Sequence, residues 1–521
     1  MLPSFAASTL VLVVLVSLPG AQSGAAPLRG GHGSPARVVY VADELADEVF
    51  ELFSVPTDGS AAPLRLSAPM PTGGDVGEIL QVSGGRVLYL ADALTNNVQE
   101  LFIVADDGST APRRLSPPLP ANGDVSQFIA GPDFALFLAD SIVDDRGELY
   151  RVPLDGSTPP VVLAPGQRVF KIHDLSRDCA LVLYDTSYSG LNVVRTDGSA
   201  APVFLSFPEP GSFGFNEVFF TQAEFTGDGA RVVFMASEIS DSWWYQANDL
   251  WSIRVDGTQK LRLSQGPKFL DTVFQLSPDG SRALYKDTEP TSQTYSELVS
   301  VRTDGSSSTI LTPGNKRPGL FRISDDSAFC VFASQIGPAW SLRMARLDGS
   351  QPLELLASVP AKPSALELVS GSTSVVFLSD SQIFSVTTPG TAVSVSNSGV
   401  MEVSSDGFPL LTFTPDSSRV LYRAEFIANG IFELWSARLD GSGRVKLSPP
   451  LSGARDVSDF RISPDGHALF RCDRNTDETL ELFAAPLDGS APAIQLNTAL
   501  GSNRDVVDYS SKRPLHRARL P

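Results

Sequence analysis

The chain has 521 residues, 42% of them hydrophobic, which is enough to bury a large core, and 40 basic against 59 acidic residues leave it a net charge of −19. That surplus repels phosphate backbones, so a nucleic-acid partner is not expected, while basic partners and cations stay open. Its 42 Gly and 39 Pro sit in short clusters between apolar runs, the pattern of turn-rich β structure and not of a disordered tract.

In chain order, the first feature is MLPSFAASTLVLVVLVSLPGAQSGAA over residues 1–26. It has an apolar core from Thr9 to Leu18, a break at Pro19-Gly20 and small residues from Ala21 to Ala26. It resembles a secretory signal peptide and predicts an exported protein, periplasmic or extracellular, although no Lys or Arg precedes the apolar core. That core is half the roughly 20 residues a spanning helix needs, and no later segment approaches the length, so no mature membrane span is expected.

From Arg37 onward one phrase recurs: an apolar run, a charged loop, Glu-Leu-aromatic, then Asp-Gly-Ser and a short run ending in Leu-Ser. Asp-Gly followed by Ser or Thr stands at Asp58, Asp107, Asp155, Asp197, Asp256, Asp304, Asp348, Asp440 and Asp488, and a degenerate Pro389-Gly390-Thr391 fills the one large gap. These ten units, spaced 41 to 59 residues apart, have the period of propellers and solenoids, and they are too rich in strands for helical arrays. Within Asp271–Leu311, TVFQLS, RALYKD, ELVSVR and STILT read as four strands; SPDG turns between the first two and Asp-Gly between the last two. VLYLAD, VVFMAS and VLYRAE are apolar at nearly every position, as strands buried on both faces must be. The expected fold is therefore all-β: a propeller of about ten four-stranded blades over residues 37–511, with two smaller propellers as the alternative.

SPDGSRALY followed by ELVSVRTDGSSSTILT, and ISPDGHALF followed by ELFAAPLDGSAPAIQL, resemble the propeller repeats of TolB-like proteins over Arg37 to about Ser511. They are also similar to the propeller half of prolyl-oligopeptidase-like enzymes. The resemblance implies the architecture, and it implies protein contacts as a mode of action. Unlike those relatives, the chain is not expected to hold the small α/β domain of TolB before the repeats or a hydrolase domain after them.

The ends of the repeat region suggest how it closes. The first unit begins directly at RVVYVAD, without the opening strand of later units, while RDVVDYSS at 504–511 resembles ARDVSDFRIS at 454–463, a phrase that opens a blade. The C-terminal copy is expected to supply the missing strand, like a clasp. Related connections, LSAPMPTGGDVGEI, LSPPLPANGDVSQF, LSPPLSGARDVSDF and LNTALGSNRDVVDY, follow units one, two, nine and ten, which adjoin only if a single ring closes. The basic tail KRPLHRARLP (512–521) is expected to fray beyond the clasp.

Chemistry is sparse. Asp43, Asp92, Asp140, Asp380, Glu425 and Asp473 end second strands, and Glu51, Glu100, Glu148, Glu297, Glu433 and Glu481 begin third strands, which places rings of carboxylates near one face. They either satisfy loop amides and pair locally, or line a surface for Ca²⁺ or a basic partner; no calcium-loop motif closes around them. No Ser stands in G-x-S-x-G, and His32, His173, His467 and His516 form no metal-binding pair. His467 reads as a variant of the SPDG turn. Cys179, Cys330 and Cys472 are far apart and odd in number, and are expected to be buried free thiols. The segment SEISDSWWYQANDLW (237–251) lengthens one loop and makes Trp243, Trp244 and Tyr245 a candidate binding loop, or a cover for the adjoining blade. The expectation is a monomeric, non-catalytic binding or scaffold propeller without cofactor or metal, holding a protein or peptide; the alternative is a hydrolase or lyase acting on a glycan through loop carboxylates.

Overall fold

The computed structural model describes residues 36–511 apart from 144, 187–189, 207–217, 240–245, 265–268, 289–295, 314–316, 352, 373, 388–391, 401–410, 427–429, 454 and 502. The signal-peptide-like segment, the degenerate turn at 389–391, the Trp243–Tyr245 loop and the tail 512–521 lie outside the described residues.

The described residues form ten four-stranded antiparallel sheets. Each is a blade, built in chain order from the axis to the rim, except that blade 1 takes its innermost strand, Val506–Ser511, from the C-terminal end of the repeats. The strands form because their residues are β-branched and aromatic and their ends are marked by Gly, Pro and Asp. At the centre of every second strand stands an aromatic ring: Tyr40, Tyr89, Phe137, Tyr184, Phe234, Tyr285, Phe332, Phe377, Tyr422 and Phe470, none more than 1% exposed. Several stack on the ring directly opposite in the third strand, as Tyr40 does on Phe53 and Phe137 on Tyr150, at centroid distances of 5.4 and 5.2 Å.

Apolar side chains gather between blades and not at a common centre. Each of ten clusters joins two neighbours, and the series returns to its start. Leu469, Leu482 and Leu496 of blade 10 pack against Val38, Tyr40, Phe53 and Val55 of blade 1. The remaining clusters join blades 1 and 2, 2 and 3, and so on to 9 and 10. The chain is one ring of ten blades, and the two-propeller alternative is set aside. Rim strands are mostly two or three residues long, which leaves little free edge for pairing with other chains.

Turns between the first and second strands follow one local rule. Ser277 Oγ donates to Asp279 Oδ1 at 2.6 Å and accepts from Arg282 N at 2.9 Å, and Asp279 Oδ1 also accepts from Ser281 N. Gly280 has φ +72°, and a Cβ there would collide with the backbone of Gly227 in the neighbouring blade's turn, so both conformation and packing require glycine. Ser176–Asp178, Thr226–Asp228, Ser324–Asp326, Thr414–Asp416 and Ser463–Asp465 repeat the hydroxyl–carboxylate bond. At the turn into the rim strand, all nine Asp-Gly-[Ser/Thr] sites place the Asp carboxylate on the amide two residues on.

Around the axis, polar side chains of one blade grip the innermost strand of the next. Gln127 bonds both the N–H and the C=O of Ile172, at 2.8 and 2.9 Å, and Gln222 does the same to Phe274 at 3.1 Å each. Arg322 holds Glu367 through two nitrogens, at 2.8 and 3.0 Å. Arg423 donates to the carbonyls of Val457 and Ser458.

The same device secures the closing strand. Arg471, paired with the buried Asp459, donates to the carbonyls of Val506 and Val507, while Arg461 donates to that of Tyr509 and to Asp508. Tyr509 lies opposite Tyr40, and Val506 and Tyr509 are fully buried. Removing residues 504–521 should therefore cost about 3–6 kcal/mol from these two side chains alone, at roughly 1.5–3 kcal/mol each. Thermal unfolding should show a sharply lowered melting temperature; an unchanged melt would refute the energetic role of the clasp.

Candidate functional site

The loops joining second to third strands, and those entering each innermost strand, share one face of the ring. On this face blades 9, 10, 1, 2 and 3 are tied by a relay of aspartates. Asp75, at the entry to blade 2, accepts from Phe50 N of blade 1 at 2.8 Å, and its own N–H donates to Asp92 Oδ1 in its own blade. The other oxygen of Asp92 accepts from Asn97 N at 2.8 Å. Asp124 and Asp140 repeat the pattern in blade 3, Asp456 and Asp473 in blade 10, and Asp505 and Asp43 across the closure. The amides capped within the loops belong to Glu48, Asn97, Asp145 and Glu478, whose φ angles of 57 to 61° are left-handed and would otherwise be strained. Four loops of one shape are thus held side by side. The relay stops at blade 4, where Arg168 stands in the place of the entry aspartate and only the backbone bond from Val169 N to Gly147 O remains.

Burial pushes Asp505 above the ordinary carboxylate range; the Leu480 amide pulls it partly back, and the charge of Asp43 adds to the rise. Burial likewise raises Asp456, against the Phe432 amide and with the charge of Asp473. Five of the six glutamates that open third strands, all but Glu297, are engaged too. Glu51 meets Arg65 at 3.0 Å, Glu100 meets Arg114 at 2.7 Å and Glu433 meets Lys446 at 2.8 Å, each partner on the adjoining rim strand. Glu148 accepts from Ser141 and Tyr150, and Glu481 from Asn475 and Gln495. Glu51 is raised by burial, with Arg65 pulling it part of the way back.

Of the carboxylates singled out by sequence, Asp43, Asp92, Asp140 and Asp473 belong to the relay, and Glu425 caps Gly430 N in a similar loop. Asp380 does not join them: it forms a two-residue hairpin with Ser381, both at positive φ, between Ser379 and Gln382. His173 is paired with Asp185 at 3.1 Å, and His467 sits beside Asp465 at 3.2 Å in its turn. Cys330 and Cys472 are buried free thiols and Cys179 is half-buried; burial pushes Cys330 up to about 12. Among the described residues, no group of three or more His, Cys, Asp or Glu is placed to hold a metal. Trp243, Trp244 and Tyr245 lie outside the described residues.

Sequence reasoning missed three things. It recognised the Gly-Asp-Val and Arg-Asp-Val phrases as connections but not the role of Asp75, Asp124, Asp456 and Asp505. It missed Asp249, which bonds Arg262 at 2.6 Å as Glu100 bonds Arg114, because Asp-Leu-Trp replaces Glu-Leu-aromatic. It also missed Glu78 and Asp508, which occupy equivalent positions on the innermost strands of blades 2 and 1. Solvent reaches Glu78 along the axis although protein surrounds it on most sides; burial, and then the charge of Asp508, push its carboxyl up.

No protein-family model and no curated protein matches the chain. Among solved structures it is similar to an oligogalacturonate lyase in complex with manganese, with 12% identity, 78% of this chain and 98% of that one covered, and a TM-score of 0.36. It is similar to a putative TolB from Agrobacterium tumefaciens, with 20% identity, coverage of 44% and 82%, and a TM-score of 0.25. A similarity to prolyl endopeptidases has 14% identity, coverage of 77% and 55%, and a TM-score of 0.35. The number of blades rests on the strand pairing of this chain.

Asp92→Ala would strand the amides of Asp75 and Asn97, at about 1–3 kcal/mol for each unsatisfied donor. Hydrogen exchange should quicken across residues 92–99 and the unfolding midpoint in urea should fall, whereas Asp477→Ala, on an exposed loop tip, should change neither.

Proposed function

We propose that this chain is a monomeric, non-catalytic binding ring that works in an exported compartment, periplasmic or extracellular, and holds a protein or peptide partner. The observation that carries this reading is the relay: Asp43, Asp92, Asp140 and Asp473 commit both carboxylate oxygens to backbone amides, so they stiffen the loops instead of standing free as an acid–base pair. Stiff loops on a closed ring offer a surface that binds without first paying to order itself. Residues 1–26, which resemble a signal peptide, support export, and among the described residues no helix is long and apolar enough to cross a membrane.

A second reading has one observation in its favour. Glu78 and Asp508 are neighbouring carboxylates at the axis, and one of them is raised, which is the arrangement by which a carboxyl group serves as a general acid on a glycan. Asp508 is partly engaged by Arg461 at 3.3 Å and by Tyr509 N at 2.7 Å, which weakens this alternative.

The test is binding followed by product analysis. The secreted chain is screened against a peptide library and a glycan array that includes acidic oligosaccharides, and each captured ligand is recovered and weighed by mass spectrometry. The expected result is a peptide ligand recovered intact. Turnover of a captured glycan that is lost in Glu78→Gln while binding persists would overturn the non-catalytic reading.

A further inference from the structure

The four relay loops carry side chains that the relay does not use. Two residues beyond the relay aspartate stand Leu45 in blade 1, Leu94 in blade 2 and Ile142 in blade 3, followed by Val143; they are 57%, 60%, 71% and 51% exposed. The equivalent position in blade 10 is Asn475. Large apolar side chains scattered singly on a surface need no explanation, but the same position exposed in three consecutive blades is a pattern. These residues are not held out by strain within a mobile loop, because each loop is pinned by its aspartate to the amide five residues on.

From this we infer that Leu45, Leu94, Ile142 and Val143 form a docking row for a polypeptide segment whose apolar side chains are interspersed with lysine or arginine. The inference rests on the binding-ring reading and names the face and the partner's chemistry. Charge selects the occupant. Among the described residues, the exposed charges on the four tips are Asp47, Glu48, Asp145, Asp477 and Glu478 against Arg146 and Arg474, an acidic excess on a chain of net charge −19. A second copy of the chain meeting this face through a two-fold axis would set acid against acid, and an anionic lipid surface would be repelled by the same charges. A segment that supplies apolar side chains to the row and cations to its rim satisfies both features.

The experiment uses the full mature chain and short dye-labelled peptides of three compositions, Leu with Lys, Ser with Lys and Leu with Glu, with binding read by fluorescence anisotropy. The Leu–Lys peptide should bind, more weakly as salt rises, and the triple variant Leu45→Ser, Leu94→Ser, Ile142→Ser should weaken it about tenfold or more with an unchanged thermal melt. Leu64→Ser, at a leucine 40% exposed on the rim strand of blade 1, should leave binding unchanged. Equal binding by the triple variant overturns the docking row and leaves the binding-ring reading standing. Equal binding of the Ser–Lys peptide overturns the apolar contribution, and equal binding of the Leu–Glu peptide overturns the electrostatic one. Self-association, or adhesion to anionic vesicles, that the triple variant abolishes overturns the choice of occupant. Turnover of a bound ligand would instead defeat the binding-ring reading itself.

Discussion

The strand Val506–Ser511 lying against Arg37–Ala42 is the contact on which the rest of the ring depends. Each blade is apolar on both faces, because the middle of its second strand is buried and its neighbours cover it on either side. An open row of such blades would leave two apolar walls in water, one bearing Val38, Tyr40, Phe53 and Val55 and the other Leu469, Leu482 and Leu496. Among the described residues no further element covers either wall, and the two pack against each other. The closing strand lets them do so in one register, since a slip of one residue would turn Tyr509 from the core to the opposite face. Arg471 and Arg461 hold its backbone carbonyls, and Asp505 and Asp43 carry the loop relay across the seam.

The ring has two kinds of sector, stiffened on opposite faces. Blades 10, 1, 2 and 3 carry the aspartate relay on the face of the second-to-third-strand loops. Blades 4, 5, 6, 7, 9 and 10 carry the Ser/Thr–Asp turns on the other. Blade 10 has both and joins the two sectors. Both devices use a carboxylate to satisfy amides at positions where the chain must turn sharply, so much of the acidic surplus that the composition shows is structural in origin.

The ring, its blade number and its clasp were legible because each is written as repetition. Asp-Gly-Ser marks the period, an aromatic residue centres each second strand, and ARDVSDF returns as RDVVDYSS. The relay was not legible, because its partners are set by radial packing: Asp75 serves Phe50 of the preceding blade and Asp92 of its own, and nothing in the spacing of 25 and 17 residues singles these out. Glu78 and Asp508 were hidden for the same reason, being far apart in sequence and brought together only when the ring closes. The substitution of Arg168 for the entry aspartate is visible in sequence, but it acquires meaning only once the hydrogen bond it omits is known.

The loop face and the axis offer different physics to a ligand. On the loop face the relay aspartates are bound to amides and the apolar tips are not, so what remains for a partner is hydrophobic area on a rigid support, with the acidic rim acting at longer range on approach. At the axis the balance is reversed: Glu78 has no ion-pair partner among the described residues, and burial and the charge of Asp508 beside it push its carboxyl up. A partner that buries tips gains from contacts already organised, whereas a ligand entering the axis must first compensate a like-charge pair. That difference favours the loop face for a peptide partner.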